Sequence, residues 1–154
     1  MTLVLASQSV SRRAMLEAAG VAFVARPADL DERALEAGLA DAGPADVALA
    51  LAQAKALAVS QSDPDALVLG SDSLVEVAGR RFDKPRDRSE AACHLAFFSN
   101  RTMHLHSAAA LARGSGVLWS TGVTAHLRVR PLTDAFILDY LDAEWPAVAG
   151  CVGV

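Results

Sequence analysis

Cysteine is scarce in this 154-residue chain: Cys93 and Cys151 stand far apart and show no Cys-x-x-Cys spacing, which excludes a disulfide framework and a zinc-ribbon site. Both are expected as reduced core residues. Long hydrophobic runs are absent too. Hydrophobic residues make up 53% of the chain, but alanine supplies much of that share, and no run approaches the roughly 20 residues that cross a bilayer. Nothing at the amino terminus resembles a secretory signal, so a cytoplasmic location without a membrane partner is expected. Excess positive charge is missing as well. Fourteen Lys and Arg against eighteen Asp and Glu leave a net charge of −4, with no basic face for polymeric nucleic acid. An anionic ligand must therefore be met by a local cluster of cations, which suits a small phosphate ester. No repeat or low-complexity tract occurs, and the length predicts a single domain.

What is present alternates between strand-like and helix-like periodicity, the pattern of an α/β architecture. Leu3 to Ala6 is a short apolar run, and Arg12 to Ala19 reads as a helix with Met15 and Leu16 inward, ended at Gly20. Val21 to Ala25 reads as a second strand. Asp29 to Gly43 is acidic and Gly-punctuated, a loop or weak helix, and Pro44 then opens an alanine-rich helix through Ser60. Ala66 to Leu69 is expected as a central strand that stops at Gly70-Ser71-Asp72-Ser73. Leu74 to Lys84 reads as a hairpin turned at Ala78-Gly79-Arg80, and Asp87 with Glu90 forms a capping box for a helix through Phe98. Two longer strands follow, Thr102 to Leu111 and Val117 to Val129, then a helix from Thr133 to Leu141. Trp119 is expected in the core or an interface, His104 and His106 share one strand face, and His126 stands alone.

Three stretches can carry chemistry. Ser7 to Leu16 joins a strand to a helix, so the hydroxyls of Ser7, Ser9 and Ser11 and the guanidiniums of Arg12 and Arg13 gather at a helix start. Free N–H groups, the macrodipole and bidentate arginines all favour phosphate there. Gly70-Ser71-Asp72-Ser73 falls at a strand's carboxyl end, where open α/β sheets bind ligands, and a carboxylate in that position holds a divalent metal or orients water. Asp72 is equally readable as a turn residue capping its own backbone. Lys84 before the rigid Pro85 is a cation on a short tether, and Lys55 interrupts an otherwise apolar helix; each also reads as a solvated lysine.

In order, Leu-Ala-Ser-x-Ser with Arg12-Arg13, Leu-Ala-x-x-Lys-Ala at 51–56, Gly-Ser-Asp at 70–72, Lys84-Pro85 and Ala149-Gly150 resemble the Maf-like nucleoside triphosphate pyrophosphatases over the entire chain. The resemblance implies an elongated α/β fold, a mixed sheet with flanking helices and a central cleft, related to the inosine triphosphate pyrophosphatases. It implies hydrolysis of a nucleoside triphosphate to monophosphate and pyrophosphate with a divalent cation, Mg²⁺ or Mn²⁺, in a cytoplasmic homodimer. Residue by residue, it makes Asp72 the catalytic carboxylate and Ser9, Arg12, Arg13, Lys55 and Lys84 phosphate contacts. Asp31 or Glu32 becomes the acidic group that helps Asp72 hold metal. Hard carboxylate and phosphate oxygens suit Mg²⁺, and a chain without a His/Cys cluster offers little to a softer ion.

The resemblance implies that Ser11 and Ser73 occupy the positions where base selectivity is read. Many members have Ser-Pro-Arg-Arg, whereas Val10-Ser11 precedes the arginine pair here, a spacing closer to the 7-methylguanosine triphosphate subgroup. Ser73 matches neither the Thr of the thymidine/uridine triphosphate subgroup nor the Gln of the methylguanosine subgroup. Family members continue past Ala-Gly into a further strand and helix, and the chain is expected to lack that segment. Members are also linked to restraint of septum formation, so the competing expectation is a nucleotide-binding regulator of cell division with little turnover.

Overall fold

The computed structural model describes residues 3–151. In chain order the elements are β1 (Leu3–Leu5), α1 (Val10–Ala18), β2 (Phe23–Ala25), α2 (Glu32–Ala37), α3 (Pro44–Ser62), β3 (Leu67–Val77), β4 (Arg80–Phe82), α4 (Arg88–Phe98), β5 (Thr102–Arg113), β6 (Gly116–Arg128) and α5 (Asp134–Val148). They form the mixed α/β architecture expected, a six-stranded sheet in the order β2-β1-β3-β5-β6 with β4 on β3. β1 pairs in parallel with β2 and with β3, and β4 is antiparallel to β3.

The chain divides into two compact units. One comprises the chain up to Asp72 together with Ser107–Val123; the other comprises Ser73–His106 and the chain from Thr124 onward. The long strands β3, β5 and β6 run through both. In the first unit, α3 begins with Pro44 at its first turn, where the missing N–H costs nothing, and continues in alanine, the best helix former. It buries Val47, Ala48, Leu51, Ala52, Lys55, Ala56 and Val59, spaced at three and four residues along one face. Beneath that face lies Gly70 of β3. A Cβ there would stand 2.2 Å from the carbonyl oxygen of Ala52 and 2.6 Å from the amide nitrogen of Ala56, so only glycine admits this approach of helix backbone to strand.

In the second unit the core is aromatic. Val75, Val77, Phe82, Phe98 and Met103 form one buried cluster, with Phe97 partly buried against it. Phe82 meets the rings of Phe98 and His94 edge-on at 4.8 and 5.0 Å. A second cluster joins Ala91 and Leu95 of α4 to Ile137 and Leu141 of α5. Asp87 caps α4 by accepting from the Glu90 N–H at 2.8 Å, and Glu90 reaches back to the Arg86 N–H at 2.7 Å. That is the reciprocal capping read from the sequence, displaced by one residue on the return arm.

Several expectations are corrected. β3 does not stop at Leu69: Gly70 to Ser73 lie inside an 11-residue strand. Gly70, read as a terminus, is there because α3 presses on the strand. α1 starts at Val10, buries no residue, and turns Met15 outward at 63% exposure. The acidic stretch after Asp29 takes the weak-helix alternative, the short α2, whereas the last helix runs past Leu141 to Val148. Cys93 and Cys151 are free and exposed, not core. Trp119 is half-exposed on β6, which removes the core alternative for it.

Candidate active site

The first unit gathers four charged side chains. Ser9 caps α1, its Oγ accepting the Arg12 N–H at 3.4 Å and lying 2.9 Å from Ser11 Oγ. The buried Ser7 Oγ accepts both the Ser9 N–H at 3.1 Å and Arg12 Nη1 at 3.3 Å, which fixes the Arg12 side chain against the start of its helix. Burial pushes the Arg12 pKa down from its usual value, opposed by the negative charges of Asp72 and Glu32. Arg13, by contrast, is exposed, as is Ser11.

At the centre is Lys55. It lies on the buried face of α3, one residue before Ala56 and its contact with Gly70, and is only 9% exposed. Its Nζ donates to Asp72 Oδ1 at 2.6 Å and stands 3.0 Å from Glu32 Oε2. Asp72 is 6% exposed, and that burial raises its carboxyl pKa above the ordinary range. The hydrogen bond and charge of Lys55, then the charge of Arg12, pull it back, while Glu32 adds to the rise. Two cations and two carboxylates thus form one neutral set, with Lys55 and Asp72 buried, Arg12 half-buried and Glu32 on the solvent side.

The structure also distinguishes Asp31 from Glu32. Asp31 is the N-cap of α2, with its Oδ1 taking the Ala34 N–H at 3.0 Å. Glu32, next on the helix, is the one turned to Lys55. Ser73 follows Asp72 on the strand and so faces the opposite side. Lys84 is exposed in the second unit, just after β4 and before the buried Pro85. Of the residues singled out in the sequence, the structure therefore brings together Arg12, Lys55, Asp72 and Glu32, with Ser9 holding the helix start beside Arg12.

Two groupings escaped the sequence. Ser7 reads in the sequence as one of three hydroxyls, and its burial as the Arg12 support is legible only as the end of the apolar run. His126 is not alone: its ring lies 4.8 Å from that of His104, while His106 Nδ1 meets Thr124 Oγ1 at 2.9 Å. Glu76 faces both His104 and His106 at 3.8 and 3.9 Å. Counting residues outward from Ser115 aligns His104 with His126 and His106 with Thr124 across β5 and β6. Even so, no group of three or more His, Cys, Asp or Glu that could hold a metal ion occurs among the described residues.

The family model described as Maf-like protein matches residues 2–154, and the chain belongs to this family. It is 53% identical over 137 residues to a 7-methyl-GTP pyrophosphatase of Rhizobium meliloti, covering 88% of this chain and 69% of that one. A protein of Rhizobium etli with the same name is 45% identical over 98% of this chain and 77% of its own length. A nucleoside triphosphate pyrophosphatase of Sphingopyxis alaskensis is 44% identical, over 99% of this chain and 79% of that one. No helix of the described residues is long and apolar enough to cross a membrane.

Proposed function

We propose that this chain hydrolyses a nucleoside triphosphate to the nucleoside monophosphate and pyrophosphate, with Asp72 as the proton acceptor. The carrying observation is the neutral set of Asp72, Lys55, Glu32 and Arg12, in which a buried carboxylate sits beside cations able to meet phosphate. Membership of a family whose relatives bear pyrophosphatase names supports the reading. Asp72 orients a water toward the α-phosphorus and takes its proton as the new P–O bond forms. The bond from the α-phosphorus to the bridging oxygen breaks, and its electron pair leaves with pyrophosphate. Arg12, fixed by Ser7, offsets charge accumulating on the phosphoryl oxygens, and the partial positive charge at the start of α1 adds to it.

The donor set fits a hard divalent cation. Asp72 and Glu32 share one cationic partner, and Mg²⁺ or Mn²⁺ is held by one or two carboxylates plus substrate phosphates, whereas zinc takes three or four protein ligands, mostly His and Cys. When bound, such an ion supplies charge neutralisation at the phosphates and acidifies water. From the family resemblance we assign Arg13 and Lys84 to the phosphates and Ser11 and Ser73 to base selection, in a cytoplasmic homodimer without a nucleic-acid or membrane partner. Light scattering on the purified chain checks the dimer.

The test is pyrophosphate release from a panel of nucleoside triphosphates, 7-methylguanosine triphosphate first, with Mg²⁺ and an Asp72→Asn control. Turnover to monophosphate and pyrophosphate that the substitution abolishes is the expected result. Absence of turnover across the panel, or turnover indifferent to Asp72, overturns the assignment.

A further inference from the structure

We propose that Lys55 is a tethered counter-cation standing where the divalent ion must enter, so that metal binding requires its ammonium to leave the two carboxylates. The inference rests on the metal reading above and concerns how that same site is filled. Nζ touches Asp72 Oδ1 at 2.6 Å and Glu32 Oε2 at 3.0 Å, so the space between these oxygens already holds one positive centre. Lys55 and Arg12 also balance Asp72 and Glu32 charge for charge. A dication added beside Lys55 would leave the set with two uncompensated positive charges next to the buried Lys55 and Asp72, where like charges repel more than they do in water.

The lysine stem lets the ammonium swing while the backbone of α3 stays locked on Gly70 by the Ala52 and Ala56 contacts. A nucleotide resolves the conflict: its phosphates supply the missing negative charge and give the displaced ammonium a new partner. Metal and nucleotide then bind with positive coupling routed through one side chain, each favouring the arrangement the other needs. In the absence of nucleotide the ion competes with Lys55 for the carboxylates and binds more weakly.

The chain has two lysines, Lys55 and the exposed Lys84, so selective ¹⁵N/¹³C lysine labelling reads Lys55 in the unaltered protein with Lys84 as internal control. Mg²⁺ titrated into the nucleotide-free protein is expected to move the Lys55 side-chain resonances and leave those of Lys84 in place. Mn²⁺ binding, followed by the loss of its free-ion electron paramagnetic resonance signal, is expected to be roughly tenfold tighter in Lys55→Met than in the parent chain, with the gain removed by adding Asp72→Asn. Saturating Mg²⁺ binding with an unmoved Lys55, or Mn²⁺ affinity that is equal or weaker in Lys55→Met, overturns the counter-cation while leaving the metal site standing. Mn²⁺ binding unaffected by Asp72→Asn in either background overturns the metal reading itself, and the counter-cation with it. The resonance experiment needs no variant, so misfolding of Lys55→Met does not remove the test.

Discussion

The two units solve opposite problems with their buried polar groups. In the first, Lys55 and Asp72 are charged side chains withdrawn from water, held by each other, by Glu32 and by the field of Arg12. In the second, the buried polar residues are His94 and His106, and His94 sits among Phe82 and Phe98 with an Nδ1 that has no hydrogen-bond partner. Replacing a buried ion pair by apolar residues is often neutral or stabilising, so the charged set in the first unit is not explained by stability. The aromatic cluster is. Ring contacts near 5 Å and the guanidiniums of Arg80 and Arg101 over Phe97 at 5.4 and 4.5 Å favour a fixed scaffold and offer no reacting group.

Substitutions separate the two regions by what they damage. Asp72→Asn keeps the size of the side chain and removes the proton acceptor; turnover is expected to fall about 10²–10⁴-fold, read in a steady-state assay, with the unfolding transition retained. Phe98→Ala should show the reverse. It empties the centre of the aromatic core, costing about 3–5 kcal/mol in denaturant unfolding, with any surviving folded protein keeping the Lys55 and Asp72 chemistry. Gly70→Ala falls between them. Its Cβ has no room against the α3 backbone, so a loss of about 1–3 kcal/mol is expected together with reduced turnover, because α3 carries Lys55 away from Asp72 as it shifts.

The smallest effect is a pH dependence confined to the second unit. Burial lowers the His94 pKa, with Arg80 adding to the fall and Glu90 and Asp83 opposing it. The folded state therefore favours the neutral ring. Its contribution to stability is full above the ordinary histidine value of 6.5 and is lost as pH drops through the depressed folded value. Thermal melts should show a fall in midpoint between about pH 7.5 and about pH 5 that is smaller in His94→Phe. An equal fall in both proteins would remove His94 from that account.

Much of this was legible in the residues, because several signals are local. Pro44 before an alanine run, Asp87 as a cap, and the switch from alternating to helical spacing are decided within a few positions, and α3 and α4 form where they are read. What failed depended on a distant partner. Gly70 reads as a strand end until α3 is laid across it, and Met15 reads as inward until α1 proves to bury nothing. For the site, residue types and order pointed to Asp72, Arg12 and Lys55. That Lys55 would face two carboxylates rather than a solvated stripe, and that Asp31 would cap while Glu32 turned inward, are facts of packing between α2, α3 and β3 that periodicity does not carry.

Hydrolysis of a nucleoside triphosphate in ¹⁸O-enriched water, with mass analysis of both products, tests most directly whether the carboxylate set activates water against the α-phosphorus. One ¹⁸O in the nucleoside monophosphate and none in pyrophosphate is the predicted outcome, lost in Asp72→Asn. Label in the pyrophosphate, or release of nucleoside diphosphate and inorganic phosphate, would contradict it.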